Sequence, residues 1–537
     1  MKRVNLLDCS LRDGGYVNDW KFGKDNILWI FQKLQKAKID IVELGYIRSW
    51  ETYNPDRAVF TGTKDINTLF KGIEKKTLVS AMIDYGACDI DAIEEAKDSF
   101  IDILRVTFRQ NNIDEAIDYC KKIKEKGYKV FLQPVSITSY SDIEMLNLIE
   151  KINELKPIAL SIVDSYGLMH EEKVIRYFYL MDNNLLPEIA IAYHSHNNFQ
   201  LAYSNSIKLL NMNCKREMYF DASLYGIGKT AGNCNIELLA MYMNKTCSKN
   251  YDLAEILNVI DVQILKLLKD YIWGYQLPYF ISASNDCHPN YVNHLLEKNM
   301  ITTKEINQIV SKISDDKRLI YDKEYIEKLY FEHQSKKVDD DFATSKLAEK
   351  FKEQKIVLIA SGTSVSKKHN TIEKYIKDNN SLVVSLNHIN KYIKTDYIYI
   401  SNAKRFEQFE MLLGDKNRGF ETIITSNIED ENKKANYVLD WVSLTSKETI
   451  VGTSSLYILL NFFKKIGVNE ITLAGFDGFS KYAANYYDSN FNFYKEPENI
   501  DDVTKEIAKQ LGYFQQYMRI NFLTKSKYDK KGLYANV

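Results

Sequence analysis

The stretch Ala192-Tyr193-His194-Ser195-His196-Asn197-Asn198 closes an apolar run, Ile189 to Tyr193, that has strand character. Side chains alternate faces along a strand, so His194 and His196 point the same way. Two imidazoles side by side at a strand end make half of a divalent-metal site. A third ligand is available where Val4-Asn5-Leu6-Leu7-Asp8-Cys9 leads into Leu11-Arg12-Asp13-Gly14-Gly15. Asp13 offers a hard oxygen, and Arg12 a fixed positive charge beside it. Each piece alone is ambiguous. His-x-His also describes two surface or packed histidines, and Arg-Asp-Gly-Gly is by itself a turn signal whose paired glycines permit positive φ. Together, each ending an apolar strand of one repeating α/β pattern, they are a much stronger sign of a metal site. Bond making or breaking next to a ketone passes through an enolate, a charge that a divalent ion and an adjacent guanidinium would stabilise. Mixed His/carboxylate ligation with open positions accepts Mg²⁺, Mn²⁺, Co²⁺ or Zn²⁺.

These residues must be carried by elements that converge. Strand-like runs recur at 4–9, 39–45, 77–84, 101–108, 128–136, 158–164, 188–194 and 218–224, with amphipathic stretches such as Ile27–Lys38 and Ile113–Lys126 between them. Eight strand-then-helix units in fewer than 290 residues predict a (β/α)8 TIM barrel, whose active site lies at the strands' C-terminal ends. The polar residues at those ends are Asp13, Glu43, Asp84, Arg105, Gln133, Asp164, His194, His196 and Asp221. Of these, Arg105, Gln133 and Asp164 are candidates for holding substrate, with Asp164 alternatively satisfying the barrel interior.

Three pieces carry a family resemblance: Leu11-Arg12-Asp13-Gly14-Gly15, His194-Ser195-His196-Asn197-Asn198, and Gly226-Ile227-Gly228-Lys229-Thr230-Ala231-Gly232-Asn233 after strand eight. In order and spacing they resemble the metal-dependent DRE-TIM metallolyase superfamily, which includes 4-hydroxy-2-oxovalerate aldolase, HMG-CoA lyase and isopropylmalate synthase. The resemblance implies that Asp13, His194 and His196 bind a divalent metal, that Arg12 steadies the enolate oxygen, and that Asn233 is a further ligand or supports one. It also implies pyruvate or a related 2-oxo acid as substrate, joined to or released from an aldehyde or sugar.

The sequence departs from the family at the acid/base. Where the aldolases have a catalytic histidine, three residues after the aspartate, this chain has Tyr16. Where the lyases have a cysteine it has Lys229 and Thr230. Tyr16 is the first candidate, a phenol whose pKa a metal and Arg12 would lower; alternatively it packs over the site. Glu43 and His288 are further candidates, and His288 is also readable as a structural histidine before a turn. The glycine-rich Gly226–Asn233 loop either binds phosphate through backbone N–H groups or only turns into the next helix.

At 537 residues the chain exceeds one core, so several parts are expected. We read a barrel over 1–290, a helical accessory segment or linker over 291–350, and a Rossmann-like domain over 351–537. Lys and Arg total 71 against 72 Asp and Glu. That balance argues against a nucleic-acid footprint. No apolar run has membrane-spanning length, Met1–Asp8 lacks a signal-peptide core, and the seven cysteines form no CxxC framework. The expectation is a cytoplasmic enzyme, with a homo-oligomer possible.

The last part opens at Ile356-Val357-Leu358-Ile359-Ala360, with further strands expected at 381–386, 396–401, 421–425, 436–440 and 470–475 and a helix from Ser454. Ile359–Ser364, Ser385-Leu386-Asn387 and Leu473–Gly478 resemble bacterial sialyltransferase-like, Rossmann-type domains of surface-glycan systems. The resemblance implies a nucleotide or nucleotide-sugar near Gly362, Ser364, Asn387 and Asp477. Residues Tyr482–Tyr494 are readable as a lid over it or as a polar loop. The whole reads as a metal-dependent aldolase of a surface-glycan or activated-sugar pathway. Its alternatives are an acyl-CoA-dependent, Claisen-type acyltransferase and a catalytically inactive metal-containing scaffold.

Overall fold

The computed structural model describes residues 3–413, 419–480, 483–491 and 499–529. The chain forms two compact units: Met1–Val292 with Ser314–Tyr321, and Asn293–Ile313 with Asp322–Val537.

The first unit is a closed parallel barrel of β1 (Val4–Asp8), β2 (Ile41–Ile47), β3 (Leu78–Asp84), β4 (Ile103–Phe108), β5 (Lys129–Pro134), β6 (Ala159–Asp164), β7 (Ala190–Ser195) and β8 (Met218–Ala222). Closure comes from β1 pairing on both sides, with Leu7 opposite Ile41 of β2 and Asp221 of β8. A two-residue strand, Val59–Phe60, extends the sheet beyond β2.

The period of two along each strand sorts the interior into layers. Leu7, Ile41, Ile103, Phe131, Ala159, Ala190 and Tyr219 belong to one buried apolar cluster that plugs the barrel floor. Two residues further along, the inward positions turn polar: Glu43, Arg105, Gln133, Ser161 and Asp221, all buried. The alternate residues, such as Leu104, Val106, Leu132, Leu160 and Ile162, join the large cluster under the surrounding helices. An apolar floor thus supports a polar tier directly below the mouth.

The second unit contains an open sheet of β9 (Ile356–Ile359), β10 (Leu382–Leu386), β11 (Tyr397–Ile400), β12 (Glu421–Thr425), β13 (Tyr437–Leu439), β14 (Glu470–Ala474) and β15 (Arg519–Phe522). Its order is β13-β12-β11-β10-β9-β14-β15, with every pair parallel. Both faces are buried. Ile356 and Leu358 lie in one apolar cluster with Phe351 and Phe463, while Val357 and Ile359 lie in another with Val365 and Ile372. The edge strand β15 was not among the expected strands; its four residues, Arg-Ile-Asn-Phe, are too short to show a period. The helices Thr303–Val310 and Lys323–Gln334 group with this unit. Of the stretch read as a lid, residues 482 and 492–494 lie outside the described residues.

Candidate metal centre

Asp13, His194 and His196 come from opposite ends of the sequence of the barrel and meet at its mouth. Each offers a ligand atom within 4.8 Å of the others, and all three side chains are buried. Asp13 sits in the tight turn after β1, where its N–H donates to the Cys9 carbonyl at 2.8 Å. The paired glycines serve closeness rather than positive φ: Gly14 has φ −59°, and a Cβ there would lie 2.1 Å from the Ser10 carbonyl oxygen. The loop after β8 closes the opposite side. Lys229 N–H donates to Asp13 Oδ2 at 3.2 Å, and Asn233 Nδ2 donates to the same oxygen at 2.7 Å. A Cβ on Gly228 would fall 2.2 Å from Asn233 Nδ2 and 2.6 Å from Asp13 Oδ2, so only glycine lets this loop approach.

The two imidazoles each turn Nδ1 toward the protein. His196 Nδ1 lies 3.3 Å from the Gly232 carbonyl, and His194 Nδ1 lies 3.0 Å from Asp221 Oδ2. The Gly232 carbonyl occupies His196 Nδ1 and leaves Nε2 for a ligand, whereas His194 Nδ1 stands beside Asp221 outside hydrogen-bond geometry. Burial pushes His196 down to about 4 despite the opposing Asp13 charge, so the ring is neutral, as a ligand must be. Burial works against ionisation of Asp13, but His196 and the Arg12 guanidinium outweigh it and hold the carboxyl well below its usual range.

Beneath this triad runs a chain of buried charge. Arg12 donates through Nη1 to Asp13 at 2.7 Å and through Nε to Glu43 at 2.7 Å. Arg105 donates to the other Glu43 oxygen at 3.0 Å and to Asp221. With its oxygen turned to Arg105, the Gln133 amide accepts from Nη2 at 3.0 Å and Nε at 3.2 Å. Opposite charges alternate from Asp13 to His194, which is how ions survive burial. Among the described residues four buried polar atoms of the cluster have no hydrogen-bond partner: Arg12 Nη2, Asn233 Oδ1, His194 Nδ1 and Asp221 Oδ1. Such buried orphans are costly, and the first two belong to side chains that hold Asp13. An amide oxygen, a carboxylate and two imidazoles are a donor set that a divalent ion fits.

The cavity above is about 380 Å³ and is lined by Arg12, Asp13, His194 and His196 together with Tyr16, Gln133, Lys229 and His288. Tyr16 is 38% exposed, but its hydroxyl turns inward to 3.1 Å from that of Tyr46. Without a metal, burial and the nearby Asp84 raise the phenol's pKa, against the lowering by Arg12. Glu43 does not line the cavity, since both its oxygens are taken by arginines. Arg105 is fully buried in the tier below. Asp164 turns both oxygens to its own loop, accepting from Leu168 N–H at 2.8 Å and Met169 N–H at 3.0 Å, and burial raises it to about 6. Gln133 and His288 reach the cavity; Glu43, Arg105 and Asp164 stay in the wall.

Sequence reasoning missed Tyr46, Arg48 and Arg109. Tyr46 turns inward because β2 slips register between Glu43 and Tyr46, which reverses the alternation. Its ring then carries the Arg48 guanidinium 4.3 Å above its centroid. Arg109 was findable as a charged residue directly after the end of β4, where a barrel site collects its side chains.

In the second unit, Gly362, Ser364 and Asp477 meet where the order reverses between β9 and β14. Asp477 accepts from Ser364 N–H at 2.8 Å, from Thr363 Oγ1 at 3.1 Å and from Ser364 Oγ. The helix start beside which the resemblance places a nucleotide is therefore filled by the protein's own carboxylate. A cavity of about 170 Å³ lies beside it, lined by Gly362 and Asp477 but not by Ser364 or Asn387. Asn387 instead donates to Ser455 Oγ at 2.6 Å.

Residues 3–262 match the HMGL-like family model. The chain is 22% identical over 243 residues to oxaloacetate decarboxylase of Mycobacterium tuberculosis, spanning 45% of this chain and 70% of that protein. It is 24% identical over 274 residues to 4-hydroxy-2-oxovalerate aldolase of Pseudoalteromonas translucida, spanning 50% and 77%. Among solved structures, HMG-CoA lyase of Bacillus subtilis superposes with a TM-score of 0.42 at 17% identity, over 50% of this chain and 96% of that one. Over residues 3–262 the N-terminal barrel, with its metal-ready strand ends, is similar to the HMGL-like family.

Proposed function

We propose that the barrel is a divalent-metal-dependent aldolase acting on pyruvate or a related 2-oxo acid. The observation that carries this reading is the Asp13, His194 and His196 cluster bordered by two unpartnered buried atoms, Arg12 Nη2 and Asn233 Oδ1. Asp13, His194 and His196 would hold the ion, with Asn233 Oδ1 as a fourth donor. When bound, the ion supplies Lewis acidity to the 2-oxo acid. After Nη1 binds Asp13 and Nε binds Glu43, the Arg12 Nη2 group keeps both its N–H donors, and they would meet the charge developing on an enolate oxygen. In cleavage, the bond between the enolate carbon and the carbinol carbon breaks and its electron pair stays with the 2-oxo acid fragment. The carbinol hydroxyl proton leaves to a base, the aldehyde departs, and the enolate carbon takes up a proton to give the 2-oxo acid. Tyr16, held protonated, suits the reverse task of giving a proton to that oxygen. The resemblance of the second half to sialyltransferase-like domains supports a sugar-derived aldehyde and a surface-glycan or activated-sugar setting.

The test is solvent exchange. With Mn²⁺ and pyruvate in D₂O, the methyl protons should exchange in the presence of the protein, and EDTA or His196→Ala should stop it. Absence of exchange with metal demonstrably bound would overturn the aldolase reading. Thiol release from acetyl-CoA in its place would mark the acyl-transfer alternative.

A further inference from the structure

The barrel mouth carries more positive charge than the proposed aldol chemistry uses. Besides the metal-centre residues, its charged or chargeable lining is Asp84, Arg109, Lys229 and His288. Asp84 is answered: its carboxylate accepts from Thr107 Oγ1 at 2.6 Å and lies 3.5 Å from Arg48. The two cations are not. Among the described residues no carboxylate lies within 4 Å of Lys229 Nζ or of the Arg109 guanidinium. The Lys229 ammonium is instead 5.3 Å from the centroid of the Tyr16 ring, which holds it over the cavity. Arg109, Lys229 and His288 line the same cavity as the metal-centre residues, and the charges of Asp13 and Asp84 act on Lys229 without pairing with it. Arg109 follows directly on the end of β4 at Phe108. Unpaired cations brought together in a concave site favour an anion.

We infer that Arg109 and Lys229 form an anion subsite that takes the charged end of the partner aldehyde, making the second substrate a phosphorylated or carboxylated aldehyde. This rests on the aldolase reading for the aldehyde, though not for the anion. In the condensing direction the methyl of pyruvate gives up a proton, its carbon bonds to the aldehyde carbon, and the former carbonyl oxygen gains a proton. The anionic end is unchanged throughout and serves to place the carbonyl. The 380 Å³ cavity admits a short chain between the two ends.

Two measurements test it. The first is kcat/KM with Mn²⁺, pyruvate and four aldehydes: glyceraldehyde 3-phosphate, succinic semialdehyde, glyceraldehyde and propionaldehyde. The native protein should favour an anionic aldehyde over its neutral counterpart by at least a hundredfold. Lys229→Met and Arg109→Leu should each cut that ratio at least tenfold, mainly through KM, while Lys229→Arg keeps most of it. Whichever anionic aldehyde leads names the source of the charge. The second is calorimetry of inorganic phosphate and of succinic semialdehyde with native protein and no pyruvate, where binding should be lost in the double variant. No native preference for charge, or a ratio that survives both substitutions, overturns the subsite. Anion binding that depends on both residues, with no methyl exchange from pyruvate, supports the subsite and sinks the aldolase reading alone.

Discussion

Replacing Asp221 by Asn tests whether the buried charge chain serves the metal centre. Asp221 is fully inside the barrel, with Oδ2 accepting from Arg105 and lying 3.0 Å from His194 Nδ1. The substitution removes a charge and leaves shape nearly intact. Two costs follow. Arg105, 0% exposed, keeps only Glu43 as a carboxylate partner, at 3.0 Å. A unit-charge pair about 3 Å apart attracts by about 5 kcal/mol at an effective dielectric of about 20. Because Glu43 remains, we expect a stability loss near the lower end of the range for breaking a buried pair, about 3 kcal/mol. The second cost falls on His194, which loses the carboxylate 3.0 Å from its Nδ1; metal affinity should drop about 10–100-fold. Mn²⁺ titration followed by electron paramagnetic resonance reads the affinity, and urea unfolding reads the stability. The double variant Asp221→Asn with Arg105→Gln removes the unbalanced cation, so it should regain stability without regaining affinity. A folded Asp221→Asn protein that binds Mn²⁺ as tightly as native, or a double variant with native affinity, would refute the claim that Asp221 acts through His194.

Other perturbations probe separate contacts. Gly228→Ala should lower Mn²⁺ affinity at least tenfold while the far-ultraviolet circular dichroism stays native, because its Cβ would overlap Asn233 and Asp13; native affinity would show that the loop can retreat freely. Tyr16→Phe should cut aldol turnover by about 10²-fold or more with pyruvate KM little changed. Since burial and Asp84 raise the phenol, the native profile should show no alkaline limb from Tyr16 below pH 10, and full activity in the variant would remove Tyr16 from the chemistry. His388, buried in the second unit with Nδ1 2.9 Å from the Leu386 carbonyl, is pushed down to about 4 by burial. The unfolded chain binds that proton from about pH 6.5 and the folded chain only near 4. Stability is therefore complete above about 6.5 and is lost as pH falls toward 4, by up to about 3 kcal/mol. Hydrogen exchange in β10 and β11 should show this slope and His388→Gln should flatten it; an unchanged slope would assign the acid sensitivity elsewhere.

The barrel and its metal-ready triad were readable from residue order, because strand periodicity is local and His-x-His states its own geometry. Asp13 was readable because a short turn leaves it nowhere to go but the strand end. The open parallel sheet of the second unit was likewise legible from its apolar runs, though β15 was too short to announce itself. Folding decided which polar residues face the cavity. Glu43, Arg105 and Asp164 looked like site residues, yet Glu43 and Arg105 find partners on distant strands and form the charge tier under it, while Asp164 ties down its own loop. The register slip in β2 put Tyr46 where alternation would have sent its neighbour. Asp477 came 113 residues after Ser364 to fill the helix start beside which a nucleotide was expected. For Glu43, Arg105 and Asp477 the deciding contact joined segments far apart in the chain, and one-dimensional patterns carry no information about which distant charge will arrive.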